Sequence, residues 1–245
     1  MKSVACRIAV ITALACLLIA PALAGRGGAN RETYEAELEK IDGLARAQKW
    51  KPALKRARKL ASTVVGRSWY DEDLEKLLAE IAFQQAAALA NLGETDAAVW
   101  YWHTAQNLDF RIVKKDLAPY GAAAKLLREF PLRSVGEVPA GFITYPLSGR
   151  TRSSPPGMPE IPAPKILTNT GSTIDKPGDF KVELVLDEKG AMHHPVVLSP
   201  HLHPIVIYFV LEQMIDFPNF QPATYDGEPV DCLFDLTVRF TVRRW

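Results

Sequence analysis

The sequence predicts a two-domain chain, with all-α helical hairpins first and then a small α+β module of order β-β-α-β. Three observations predict it. Residues 30–130 are rich in Ala, Leu, Glu and Lys, with apolar positions recurring at three- and four-residue spacing, the period of an amphipathic helix. Residues 131–177 hold nine prolines with several glycines and serines. Residues 178–245 then switch to strand-like alternation of period two.

Residues 1–24 precede both domains and read as a secretory signal peptide. Lys2 and Arg7 are followed by an apolar run over 8–20 with Thr12 as its one polar residue, then by Pro21 and mostly small residues up to Ala24. The alternative is an uncleaved membrane anchor, which needs about 20 apolar residues and is disfavoured by Pro21. Cleavage after Ala24 removes two bases and no acid. The 29 bases of the whole chain fall to 27 against 28 acids, a net charge of −1. A near-neutral chain without basic blocks has no electrostatic footprint for nucleic acid. Cleavage also removes Cys6 and Cys16 and leaves Cys232 alone, so no intramolecular disulfide can form although an exported chain meets an oxidising compartment.

In the helical region, Tyr34, Leu38, Ile41, Leu44 and Ala45 mark a first helix and residues 50–65 a second. A third starts after Asp71, with Asp71 or Asp73 as its cap, and runs to Leu92, where Gly93 stops it. Thr95 opens a fourth through Ala98, Trp102, Ala105 and Leu108, and a shorter helix covers 117–130. Trp69, Trp100 and Trp102 are the packing aromatics. The run Leu92-Gly93-Glu94-Thr95-Asp96-Ala97-Ala98, with Trp102, Ala105 and Leu108 after it, resembles the second half of a tetratricopeptide repeat. The stretch 47–53 is a weaker copy, with Gln48 in place of the turn glycine. Its Ala53 lies 45 residues before Ala98, longer than the roughly 34 of that repeat, and an unrelated helical bundle is the alternative.

The proline-rich stretch reads as a semi-extended spacer, because proline locks φ and removes a backbone donor. A recognition segment is the other use of such composition.

In the C-terminal module, Phe180, Val182, Leu184 and Leu186 share one face of a strand, and Lys181, Glu183, Val185 and Asp187 the other. Asp187-Glu188-Lys189-Gly190 makes a turn whose glycine suits positive φ, and residues 191–198 return as the second strand of a hairpin. The apolar stretch 204–217 is expected to be a helix covering the sheet, with Glu212, Gln213 and Asp216 on its polar edge, although its β-branched start would also suit a strand. In the last strand Val230, Cys232, Phe234, Leu236, Val238, Phe240 and Val242 share one face. Asp231, Asp235, Thr237, Arg239, Thr241 and Arg243 share the other.

This order of strand, Asp-Glu-x-Gly turn, strand and apolar helix, followed by Phe220-Gln221-Pro222-Ala223 and Gly227-Glu228-Pro229-Val230, resembles the C-terminal domain of TonB-family energy transducers. The residues that carry the resemblance are Asp187, Gly190, Phe220, Pro222, Ala223, Gly227, Pro229 and Val230. It implies a module that binds protein partners and catalyses nothing, with an extended segment of an outer-membrane receptor or other envelope protein adding to the edge of the last strand. Carried onto this chain, that edge comprises Asp231, Leu233, Asp235, Thr237, Arg239 and Thr241. The charges on it are equally those of an ordinary protected edge.

Two features of the family are not expected here: an uncleaved membrane helix, because residues 1–24 read as a cleavable signal, and a long proline-rich arm, because the proline-rich stretch is short. The expected function is therefore interaction or scaffolding in the periplasm, linked to outer-membrane transport. The alternative is an inner-membrane-anchored transducer, which is the one case that brings membrane contact. His193, His194, His201 and His203 cluster, but His193 and His194 are adjacent in a strand and are expected on opposite faces, and no cysteine or carboxylate completes a metal set. Cys232 falls on the apolar face. With no Gly-x-Ser-x-Gly, phosphate loop or paired catalytic carboxylates, neither catalysis nor a cofactor is expected.

Overall fold

The computed structural model describes residues 31–67, 74–139, 142, 145–146, 165–166, 174–215 and 220–242. The expected leader, the caps Asp71 and Asp73, Trp69, Asp216, Arg243 and most of the proline-rich stretch lie outside them. The described chain is α followed by α+β. Helices α1 (Arg31–Arg46), α2 (Trp50–Arg67), α3 (Leu74–Leu92), α4 (Thr95–Leu108) and α5 (Ala123–Glu129) come first. Strands β1 (Tyr145–Pro146), β2 (Lys165–Ile166), β3 (Ile174–Leu186) and β4 (Met192–Val197) follow. Helix α6 (Pro204–Ile215) precedes β5 (Phe220–Gln221), β6 (Ala223–Tyr225), β7 (Glu228–Val230) and β8 (Cys232–Val242). The described residues form two compact units. Residues 31–132 and 200–215 make a helical unit, and residues 133–199 and 220–242 make a sheet unit.

In the helical unit, α1–α2 and α3–α4 are hairpins with the same turn chemistry. At the first, Lys49 N donates to Leu44 O at 2.8 Å and Gln48 N to Ala45 O at 2.9 Å. At the second, Glu94 N donates to Leu89 O at 3.0 Å and Gly93 N to Ala90 O at 3.3 Å. Both are the paired bonds that close a helix over a left-handed residue. Gly93 takes that conformation at φ 87°, and Gln48 takes it at φ 56° despite its Cβ. After each turn an alanine, Ala53 or Ala98, is fully buried, which lets the paired helices approach closely.

The helix expected over 117–130 is interrupted. A 3₁₀ turn covers Ala118–Tyr120, the chain reverses at Gly121 with φ 60°, and only then does α5 begin. The side chain of Asn91 on α3 holds the break. Its Nδ2 donates to Tyr120 O at 2.8 Å, and its Oδ1 accepts from Ala122 N at 2.9 Å. Those bonds replace intrahelical ones that continuous helix would have made.

The apolar stretch before β5 is a helix, α6, but it belongs to the helical unit, packed against α3 and α4, and not to the sheet unit it was expected to cover. Ile205, Val206, Ile207, Tyr208, Val210, Leu211 and Met214 are buried, while Gln213 is exposed. Two buried polar bonds fix its register. Trp100 Nε1 donates to Leu211 O at 2.9 Å, and Tyr208 hydroxyl donates to Gln85 Oε1 at 2.8 Å. An apolar helix needs such anchors because dispersion alone sets neither its rotation nor its height.

The sheet unit has a four-stranded sheet of order β1-β8-β3-β4, with β1 parallel to β8 and the other pairs antiparallel. Across β3 and β8 the register pairs Phe180 with Val238, Val182 with Leu236, Leu184 with Phe234 and Leu186 with Cys232. All eight side chains are buried, so this is the apolar face that the alternation predicts. The opposite face is only partly polar, since Val185 and Leu233 are paired and buried there too.

Candidate partner-binding edge

Strand β8 bonds to β3 along its length on one side. On its other side β1 pairs only Tyr145 with Cys232 and Pro146 with Leu233. From Phe234 to Val242 that second side has no strand partner among the described residues. Asp235 on this stretch is exposed and Thr237 half-buried, while Leu236 and Val238 turn into the apolar face. Arg239 and Thr241 occupy register positions opposite Asp179 and Pro177 of β3. Leu233 is buried beside β1. Asp231 lies outside any strand, in the link between β7 and β8, where its Oδ1 accepts from Glu188 N at 3.0 Å. Val230 likewise ends β7 rather than opening β8.

The residues that carry the family resemblance come together locally. Asp187 organises the β3–β4 turn: its Oδ1 accepts from Lys189 N and from Ala191 N, both at 2.8 Å, and its backbone O accepts from Gly190 N at 2.9 Å. Gly190 has φ 81°, and its O accepts from Phe220 N at 2.9 Å. A Cβ on Gly190 would lie 1.8 Å from Phe220 O, so glycine is required by close approach as well as by φ. Phe220 is buried edge-on to Phe234, with ring centroids 6.0 Å apart. Half-buried Pro222 then leads from β5 into β6. In the β6–β7 hairpin Ala223 pairs with Val230 and Thr224 with Pro229. Asp226 (φ 50°) and Gly227 (φ 88°) form its two-residue turn, the left-handed pair that such hairpins need.

The histidine pair departs from the expected alternation. His193 is opposite Val185 and Val196 is opposite Glu183, so His194 and Pro195 together face Leu184 across a bulge. His194 takes φ 51° to make it. Strict alternation is lost there, and both imidazoles approach the ring of Phe142, at 5.5 and 5.4 Å between centroids. His193 Nε2 is 2.9 Å from Asp187 Oδ2. Burial alone would raise the Asp187 pKa. Hydrogen bonds from His193 and from the Ala191 and Lys189 amides outweigh burial and hold it below the usual carboxylate value. No group of three or more His, Cys, Asp or Glu side chains is placed to hold a metal ion among the described residues.

Alternation also places Glu183 on the polar side of β3, yet it is buried against Arg133. Arg133 Nη1 donates to Glu183 Oε1 at 2.5 Å and to Glu137 O at 3.1 Å, and its Nε donates to His194 O at 3.2 Å. Gly136 N donates to the same carboxylate oxygen at 2.7 Å. The Arg133 and Glu183 side chains are only 4% and 2% exposed. The segment from Arg133 is thus strapped onto the outer face of β3 by a buried ion pair. A lone arginine after Pro131-Leu132 carries no sequence signal of that role.

In comparison with known proteins, the chain matches no family model, no curated protein and no solved structure. No helix among the described residues is long and apolar enough to cross a membrane.

Proposed function

We propose that this is an exported periplasmic interaction protein, in which tetratricopeptide-like hairpins act as scaffold and a TonB-like module captures a protein partner by strand addition at β8. The observation that carries this reading is the side of β8 from Phe234 to Val242, which is left without a strand partner among the described residues while its other side is fully bonded to β3. Backbone donors and acceptors along such a side bind an extended segment by completing its hydrogen bonds, and alternate side chains add selectivity. The partner class that fits is an extended segment of an outer-membrane receptor or other envelope protein, and no catalysis is involved. The matching turns at Gln48 and Gly93 support the repeat reading of the hairpins, and the Gly190–Phe220 contact gives the motif residues a common structural purpose.

Consecutive residues of a strand direct their backbone groups to opposite sides. Of Thr237→Pro and Val238→Pro, one therefore removes an N–H bonded to β3 and the other removes one from the open side alone. Crosslinking in the periplasm, followed by mass spectrometry of captured envelope proteins, tests the reading. The variant that leaves β3–β8 amide protection intact is expected to lose capture. Undiminished capture by that variant rejects strand addition at β8.

A further inference from the structure

We propose that the outer face of α2 is a docking surface for the anionic headgroups of a lipid bilayer, which it meets by adsorption and without a spanning segment. The residues concerned all belong to the helical unit, so the assignment is independent of strand addition at β8.

The near-neutral net charge hides a local excess. Residues 43–70 hold eight bases and no acid, which corrects the expectation of a chain without basic blocks. Most of that excess lies on α2. Its Ala53, Leu54, Ala57, Leu60, Ala61 and Val64 are buried where it packs against α1 and α3. Lys51, Lys55, Arg58 and Lys59 are exposed. Steps of three and four residues put these four on one stripe of the helix, which runs about 12 Å along the axis.

Folding does not explain the stripe. On α1, in the same hairpin, exposed bases sit beside acids: Lys40 Nζ is 3.4 Å from Glu37 Oε2, and Arg46 Nε is 2.6 Å from Asp42 Oδ2. Arg56 of α2 also reaches Glu37, at 3.0 Å. No carboxylate among the described residues pairs with Lys51, Lys55 or Lys59. Instead like charges stand four apart, Lys51 with Lys55 and Lys55 with Lys59, an arrangement that weakens a helix. The first turn, where the helix dipole favours acids, has Lys51 and no acid. Charges that cost the fold stability and pair with nothing inside it are available to an outside polyanion.

The chemistry of the face selects a lipid surface. Apart from its bases, the exposed side chains described on α2 are Pro52 and Ser62. Protein interfaces concentrate affinity in a desolvated core with aromatic anchors, and this face offers none. Polybasic adsorption to anionic headgroups needs no anchor, because each base near the surface adds its own share of attraction, roughly fivefold in partitioning.

The test uses the whole chain purified after export and co-sedimented with vesicles. It should bind vesicles of phosphatidylglycerol and phosphatidylcholine at low salt, should be released by high salt, and should ignore phosphatidylcholine alone. Lys51→Gln/Lys55→Gln/Lys59→Gln should weaken binding roughly 100-fold. Glutamine keeps the helix propensity of lysine, so this variant should melt at or above the parent temperature. Lys51→Arg/Lys55→Arg/Lys59→Arg keeps the charges and should bind as the parent does. Lys114→Gln/Lys125→Gln/Lys189→Gln removes the same charge from other exposed positions and should bind within about threefold of the parent. Absence of binding to the anionic vesicles, binding by the α2 glutamine variant within about threefold of the parent, loss in the arginine variant, or an equal loss in the variant at 114, 125 and 189 overturns the inference. Tighter binding to polyglutamate or duplex DNA than to the vesicles, at equal charge concentration, gives the stripe a partner of another class and overturns it as well.

Discussion

Replacing Arg133 with methionine should destabilise the sheet unit more than any surface change, and the size of the effect follows from its surroundings. The variant takes the Arg133 cation away from Glu183, 2% exposed, while the Gly136 amide still donates to it. It also takes away the donors to His194 O and Glu137 O. Removing one partner of a buried ion pair typically costs about 3–5 kcal/mol, because the remaining charge stays desolvated. Glu183→Leu should cost a comparable amount for the same reason, with a buried guanidinium left over. In Arg133→Met/Glu183→Leu no charge is stranded, and apolar replacement of a buried pair is often neutral or stabilising by about 1–4 kcal/mol. Against that stand Gly136 N and His194 O, which lose partners at about 1–3 kcal/mol each. The double variant should therefore fall near the parent or about 2 kcal/mol below it, less damaged than either single one. Hydrogen exchange of the β3 and β8 amides is the assay, since it reads opening of this unit separately from the helices. Additive single effects, or a cost below about 1 kcal/mol for Arg133→Met, would refute the assignment of the strap to this ion pair.

Two further outcomes follow from the β3–β4 turn. Gly190→Ala should cost at least about 2 kcal/mol, since φ 81° is strained for alanine and the new Cβ meets Phe220 O at 1.8 Å; exchange of the Phe220 amide should quicken, and unchanged protection would count against it. Asp187 has its folded pKa lowered, so the stability it contributes is present above the unfolded carboxylate pKa and lost as pH falls through the folded value. Asp187→Asn should accordingly flatten the acid limb of a urea-denaturation series, and an unaltered acid limb would show that the carboxylate is not responsible.

Local rules carried much of the fold. The four long helices, the stop at Gly93, the turn at Gly190 and the apolar face of β3 and β8 all follow from periodicity and from glycine's freedom at positive φ, which act over a few residues. Where distant side chains intervene, such rules fail. The expected helix over 117–130 is broken because Asn91, on another helix, bonds both sides of the reversal at Gly121. His193 and His194 both approach Phe142 because a bulge lets His194 take φ 51°, a choice no propensity makes for histidine in a strand. For the candidate edge, composition and alternation marked β8 and its charges. Which of its residues lack a neighbouring strand was decided by the brief pairing with β1 and by the withdrawal of Asp231 to cap Glu188.

By itself, then, the sequence determined the four long helices, the β3–β4 turn and the apolar face shared by β3 and β8, because each depends on neighbours in the chain. Only the tertiary structure decided that α6 packs on α3 and α4 through Trp100 and Tyr208, and that Arg133 and Glu183 share a buried site. Those contacts join residues far apart in sequence, and their free energy comes from mutual desolvation and hydrogen bonding that neither partner expresses alone.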